Sequence, residues 1–117
     1  MERRRRAALA TLRDVIAAAA YGDRACARVI EDAGRALGRG VAGACNLLAP
    51  ERVVVGGELS RAGEVLLEPL RASLRRAAIG SMRDVPVVAG VLGERAEVLG
   101  AVALVLRGSD RYVADPA

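Results

Sequence analysis

Asn46-Leu47-Leu48-Ala49-Pro50-Glu51-Arg52-Val53-Val54-Val55-Gly56-Gly57-Glu58-Leu59 holds a helix end, a strand and a sharp turn within one short stretch. Pro50 lacks an amide hydrogen and pushes Ala49 out of the helical region, so any helix arriving from upstream stops here. Arg52 to Gly56 reads as a strand, because Val53, Val54 and Val55 are consecutive β-branched residues. An unbroken apolar run of this kind predicts burial on both faces, as in a parallel sheet. Two glycines then follow at once, so the backbone turns tightly or something approaches it closely. In an α/β sheet that place is the carboxyl edge, where ligands bind. Gly56 and Gly57 are therefore the first candidate site residues.

The flanking chain fits the same scheme. Residues 7 to 20 carry Ala8, Leu9, Leu12, Val15, Ile16 and Ala19 near helical spacing. Tyr21-Gly22-Asp23 stops that helix, with Asp23 as the next N-cap. A longer helix is predicted over 24 to 48, with Cys26, Val29, Ile30, Ala33, Leu37, Val41, Ala44, Cys45 and Leu48 on its apolar side. It contains Gly34, Gly38, Gly40 and Gly43, each costing about 1 kcal/mol relative to Ala. Close packing against a sheet is the reading adopted for them.

Downstream, Ser60 suits a short turn. Pro69 suits the first turn of a helix over about 68 to 79, with Leu70, Leu74 and Ala77 inward and Arg71, Arg75 and Arg76 outward. Gly80 ends it. Val85 to Val91 reads as a second strand with Pro86 at its start, and residues 95 to 106 as a last helix. Residues 108 to 117 read as a loose tail. Gly93 precedes the positive end of the last helix and is the third candidate site residue. Glu94 beside it suits compensation of the helix dipole better than a bound phosphate.

Composition narrows the chemistry. The 117 residues are 53% apolar, with two Tyr and no Phe, Trp or His. The core must therefore pack through Ala, Val and Leu. The usual general base and the commonest metal ligand are missing. Cys26 and Cys45 cannot close a zinc site without His and read as buried free thiols. All basic residues are Arg and the net charge is +4. Arg3 to Arg6, with Arg13, form one cationic cluster. No aromatics interleave to stack bases, so it reads as a solvated helix end. No uncharged run approaches the roughly 18 residues of a membrane span, and a cytoplasmic location is expected.

The order helix, helix, strand, helix, strand, helix implies parallel strands joined by a right-handed crossover. Two strands make too small a layer to stand alone. The expectation is an α/β chain that belongs to a larger domain or completes its sheet with another copy, and hence a homo-oligomer.

Four segments also occur together in register: Gly38-Arg39-Gly40-Val41-Ala42, Asn46 to Glu51, Val53 to Gly57, and Leu92-Gly93-Glu94-Arg95-Ala96-Glu97-Val98-Leu99-Gly100-Ala101. Over residues 23 to 107 the chain resembles the C-terminal end of ROK proteins (repressor, open reading frame, kinase). The resemblance implies part of an actin-like ATPase lobe with a ribonuclease-H-like sheet: about two parallel strands and four to five helices, over residues 1 to 107. ROK kinases phosphorylate hexoses with ATP, whereas ROK repressors carry a winged helix and respond to sugars. The stretch Leu104 to Tyr112 looks more like the repressor branch.

The resemblance places Gly56 and Gly57 on the adenosine side of a nucleotide site. The family's Asp-Gly-Gly-Thr segment, catalytic Asp, Glu-x-Gly-His motif and zinc cysteines do not occur here, nor does the winged helix. They are expected upstream, in a missing N-terminal portion of the same protein. The expected role is thus structural, within a sugar-responsive regulator: no catalytic residue, no metal, no cofactor in this chain with ATP left to the parent protein, and DNA contact only through the absent winged helix. A ROK sugar kinase is the alternative.

Overall fold

The computed structural model describes residues 11–114. Helix α1 spans Leu12–Ala20, and its N-cap Thr11 accepts a bond from the Asp14 amide at 3.2 Å. The expected residues 7 to 10 of this helix and the cluster Arg3 to Arg6 lie outside the described residues. Helix α2 spans Arg24–Leu48, matching its expected limits. Asp23 caps it, its Oδ1 accepting from the Cys26 amide at 3.1 Å. Ala49 leaves it in the left-handed conformation, with φ 46° and ψ 55°, and Pro50 prevents continuation.

Strands β1 (Val53–Val55) and β2 (Val87–Ala89) pair in parallel, with Val53 opposite Val87, Val54 opposite Val88 and Val55 opposite Ala89. Both are shorter than expected. The expectation of burial on both faces is corrected for β1: Val53 and Val55 point at a covering helix, but Val54 on the other face is 60% exposed. Its β-branched run is apolar on both faces, yet the described residues supply cover for only one.

Between the strands lie a short 3-10 turn (Glu58–Ala62), helix α3 (Glu64–Ala77) and a second 3-10 turn (Gly80–Asp84). The expected start near residue 68 is corrected. Pro69 sits inside α3 rather than in its first turn. Its missing hydrogen bond is outweighed by the packing of Leu66, Leu67, Leu70 and Leu74, all buried, along one side of α3.

The core is the α2–α3 pair. Ile30, Cys45, Leu66, Leu70 and Leu74 are its largest fully buried side chains, and Cys26 and Cys45 are buried free thiols as expected. Gly34 and Gly38 make the pair close. A Cβ on Gly34 would stand 2.5 Å from the Leu66 carbonyl oxygen, and one on Gly38 would press on the Leu70 carbonyl oxygen. These glycines therefore admit a helix backbone, not the expected sheet. Gly40 and Gly43 face open space. The buried Ser73 adds a clamp, its Oγ donating to the Arg35 carbonyl at 2.7 Å. Val53 and Val55 pack on Leu67, Leu70 and Val87, which seats the sheet on α3.

Helix α4 (Ala96–Ala114) follows a 3-10 turn at Gly93–Arg95. It outruns the expected end at residue 106, so 108 to 114 are helical rather than a loose tail; 115 to 117 lie outside the described residues. Its expected inner face is also corrected. Leu99, Val102 and Leu106 are exposed, and its principal neighbour is the turn that leads into it. The radius of gyration, 18.2 Å, is well above the roughly 13 Å of a compact domain of this length.

Candidate functional site

Because β1 and β2 run in parallel, their carboxyl ends emerge side by side. The ladder continues one step past the strands, the Gly90 amide donating to the Val55 carbonyl at 2.9 Å. Beyond it the two exit loops meet: the Gly57 amide donates to the Gly93 carbonyl at 3.2 Å. The structure thus brings together two candidate residues far apart in sequence. Gly57 has φ 85° and ψ −178°, a region open essentially to glycine alone. Its carbonyl accepts from the Ser60 Oγ at 2.6 Å and from the Ser60 amide at 3.2 Å. Ser60 is buried, so the turn it was expected to serve is fixed from within.

Gly93 has φ 57° and nothing within 4 Å of where a Cβ would lie. Gly56 differs from both. Its φ is ordinary and a Cβ there would meet only the Ala96 Cβ, at 3.5 Å. Of the three candidates, Gly57 and Gly93 are thus glycine for conformational reasons, and Gly56 joins them at the same edge.

An open cleft of about 220 Å³ adjoins the junction, lined by Arg61, Val91, Leu92, Gly93 and Arg95. Bare backbone, two apolar side chains and two guanidinium groups suit binding and orientation. Among the described residues that line it there is no acid–base pair. Among the described residues, no group of three or more His, Cys, Asp or Glu is arranged to hold a metal ion. Nor is any helix among them long and apolar enough to cross a membrane. Arg13 stands 4.0 Å from Glu58 across the exposed surface. The expectation for Glu94 concerns a side chain outside the described ones.

Two residues escaped the sequence reading. Asn46 bridges the ends of α2 and α3: its Oδ1 accepts from the Ile79 amide at 2.9 Å and its Nδ2 donates to the Ala77 carbonyl at 3.4 Å. Its place just before Pro50 marked a helix end but not which other helix it would cap. Arg71 was assigned to an outward basic face. Instead it folds back on the sheet, donating through Nε and Nη2 to the Val87 carbonyl at 3.1 and 2.6 Å.

The model of the family described as "ROK family" matches residues 1–108. The chain is 38% identical over 98 residues to the DNA-binding transcriptional dual regulator NagC of Escherichia coli (strain K12), covering 83% of this chain and 24% of that protein. It is 39% identical over 89 residues to a glucokinase of Thermotoga maritima, covering 75% of this chain and 28% of the enzyme. The chain therefore spans about a quarter of the length of these relatives. Among solved structures, a ROK family glucokinase from Streptomyces griseus, in complex with glucose and AMPPNP, superposes with a TM-score of 0.69 at 34% identity. That match covers 78% of this chain and 30% of the enzyme. The α/β arrangement is accordingly part of the actin-like ATPase fold, and its relatives include both repressors and kinases. With its family model matched along nearly its whole length, this chain belongs to the ROK family.

Proposed function

We propose that this chain is the C-terminal portion of a sugar-responsive, cytoplasmic ROK-family transcriptional regulator, in which it completes the body and holds subunits together without catalysing a reaction. The observation that carries this reading is α4. From Val98 to Leu106 every residue is apolar or glycine, and every one is exposed. A helix apolar all round its circumference is stable in water only when covered on all sides. The bare face of the sheet at Val54 likewise calls for a further layer. The remaining portion of the same protein is the partner proposed for both, with further copies of it in a homo-oligomer. DNA would be contacted by a winged helix elsewhere in the parent.

The regulator branch draws support from the similarity to NagC and from the stretch Leu104 to Tyr112. A second reading, part of an ATP-dependent sugar kinase, is favoured by one feature: the Gly57–Gly93 junction at the carboxyl edge, in a chain similar to a glucokinase solved with AMPPNP. On that reading Gly56, Gly57 and Gly93 would lie against the nucleotide, with ATP as the cofactor of the parent.

Reading the coding sequence upstream separates the two. A winged-helix segment supports the regulator, and a phosphate-binding Asp-Gly-Gly-Thr segment supports the kinase. AMPPNP titrated calorimetrically into the protein and its Gly93→Asn variant gives an independent answer. Asn is among the side chains that best tolerate a positive φ, so the variant adds bulk at the junction with less strain than most substitutions. Binding that Asn weakens favours the kinase reading; binding that Asn leaves unchanged removes the junction from the nucleotide site. A monomer of 12.2 kDa by light scattering at all concentrations would remove the oligomerising role.

A further inference from the structure

The register of the sheet fixes which backbone groups face outward. The Val53 amide donates to the Pro86 carbonyl at 2.8 Å, and the Gly90 amide to the Val55 carbonyl at 2.9 Å. Pro86, Val88 and Gly90 therefore turn their polar groups toward β1. Val87 and Ala89 turn theirs toward the far edge of β2. At that edge stands Arg71, with two guanidinium nitrogens on the Val87 carbonyl. Its third, Nη1, is held by Glu64 Oε2 at 2.7 Å, and the side chain is only 31% exposed. Arg71 also walls a groove of about 300 Å³ along β2, together with Leu74, Arg83 and Val87. An added strand would have to lie in that groove and donate an amide to the same carbonyl.

The β1 edge is built differently. Val54 turns its amide and carbonyl away from β2, and among the described residues no side chain hydrogen-bonds to either. An unguarded edge recruits strands, whereas a charge placed on an edge repels them.

We propose that Arg71 closes the β2 edge against strand addition by a second copy of this chain, so that the sheet grows only from β1. Arg71 is thus a specificity residue for assembly.

The test uses the 117-residue chain in a Val54→Pro background, which removes the outward amide of β1. Arg71→Met keeps the aliphatic stem and deletes the donors. Its light-scattering mass is expected to rise above that of the background at the same concentration, and the excess to grow as concentration rises. Adding Ala89→Pro, which removes an outward amide of β2, is expected to restore the background mass. An Arg71→Met chain that stays at the background mass overturns the proposal. So does association that Ala89→Pro leaves intact. Should Val54→Pro fail to fold, amide hydrogen exchange without it decides the same question. Protection at Ala89 is expected to rise with concentration for Arg71→Met and to stay constant for the natural chain; equal behaviour of the two refutes the idea.

Discussion

Helices α2 and α4 draw on the same small vocabulary of Ala, Gly, Val and Leu, yet α2 buries one side deeply while α4 is exposed from Val98 to Leu106. The difference is one of partners within the chain. Along α2 the apolar positions fall on a stripe that meets α3, and Gly34 and Gly38 let the two backbones approach. Along α4 the apolar residues run all the way round, and among the described residues no second element lies against them closely enough to bury them. A stripe marks a contact the chain makes with itself, whereas a full circumference marks one completed by something else.

The sharpest way to break the α2 side of this contrast is Gly38→Ala. The added methyl would collide with the Leu70 carbonyl and with the Ser73 Cβ, at 2.7 Å. Backbone cannot yield as a side-chain tip does, so α2 and α3 must part. A loss of about 3 kcal/mol or more is expected, at the upper end of overpacking costs, seen as a lowered midpoint in urea. A Gly38→Ala chain as stable as the parent would mean that the helices are not so closely packed.

Next in size is Asn46→Ala. Asn46 holds the end of α3 through two hydrogen bonds. Their loss, at roughly 0.5–1.5 kcal/mol each, is partly offset by the better helix propensity of Ala. A net destabilisation of about 1 kcal/mol is expected by thermal or urea unfolding. Asn46→Asp, which keeps the acceptor for the Ile79 amide, is expected to lose less.

Gly40→Ala should change sign. Gly40 lies only two positions from Gly38 on the same helix, but nothing stands within 4 Å of its missing Cβ. Freed of any clash, the substitution should show only the helix propensity gain, about 1 kcal/mol of added stability. Opposite signs at Gly38 and Gly40 in one urea series would establish that only one face of α2 is occupied within this chain.

What could be read from the sequence follows the same division. The limits of α2 were legible because both ends carry local signals, Asp23 as a cap and Pro50 as a stop. The parallel pairing followed from the intervening helix. The start of α3 was not legible, since Pro69 looks like a first-turn residue and only the packing of the leucines overrides it. The exposure of Val54 and of α4 was not legible either. Periodicity reports how apolar a face is, not whether its cover lies in the same chain. At the candidate site, Gly56, Gly57 and Gly93 were each visible as breaks after a strand. The bond joining Gly57 to Gly93 depends on register and left no local sign. Arg71 and Asn46 were hidden for a related reason: an exposed-looking Arg and a helix-end Asn acquire their partners only from the tertiary arrangement.

The smallest expected effect on stability sharpens the α4 side. Val98→Lys, Val102→Glu and Val105→Lys replace residues that are 65%, 50% and 65% exposed. Exposed substitutions away from caps and cores change stability by roughly 0.5 kcal/mol or less each. The unfolding midpoint of this chain should therefore hardly move. Association should respond far more, because the same three changes place charges on the surface that a covering body would have to desolvate. Light scattering of the triple variant is expected to show a lower mass than the natural chain at equal concentration. An unchanged mass would mean that α4 is not where subunits or lobes meet. A large drop in the unfolding midpoint would mean that α4 is already covered from within, and the contrast between the two helices would disappear.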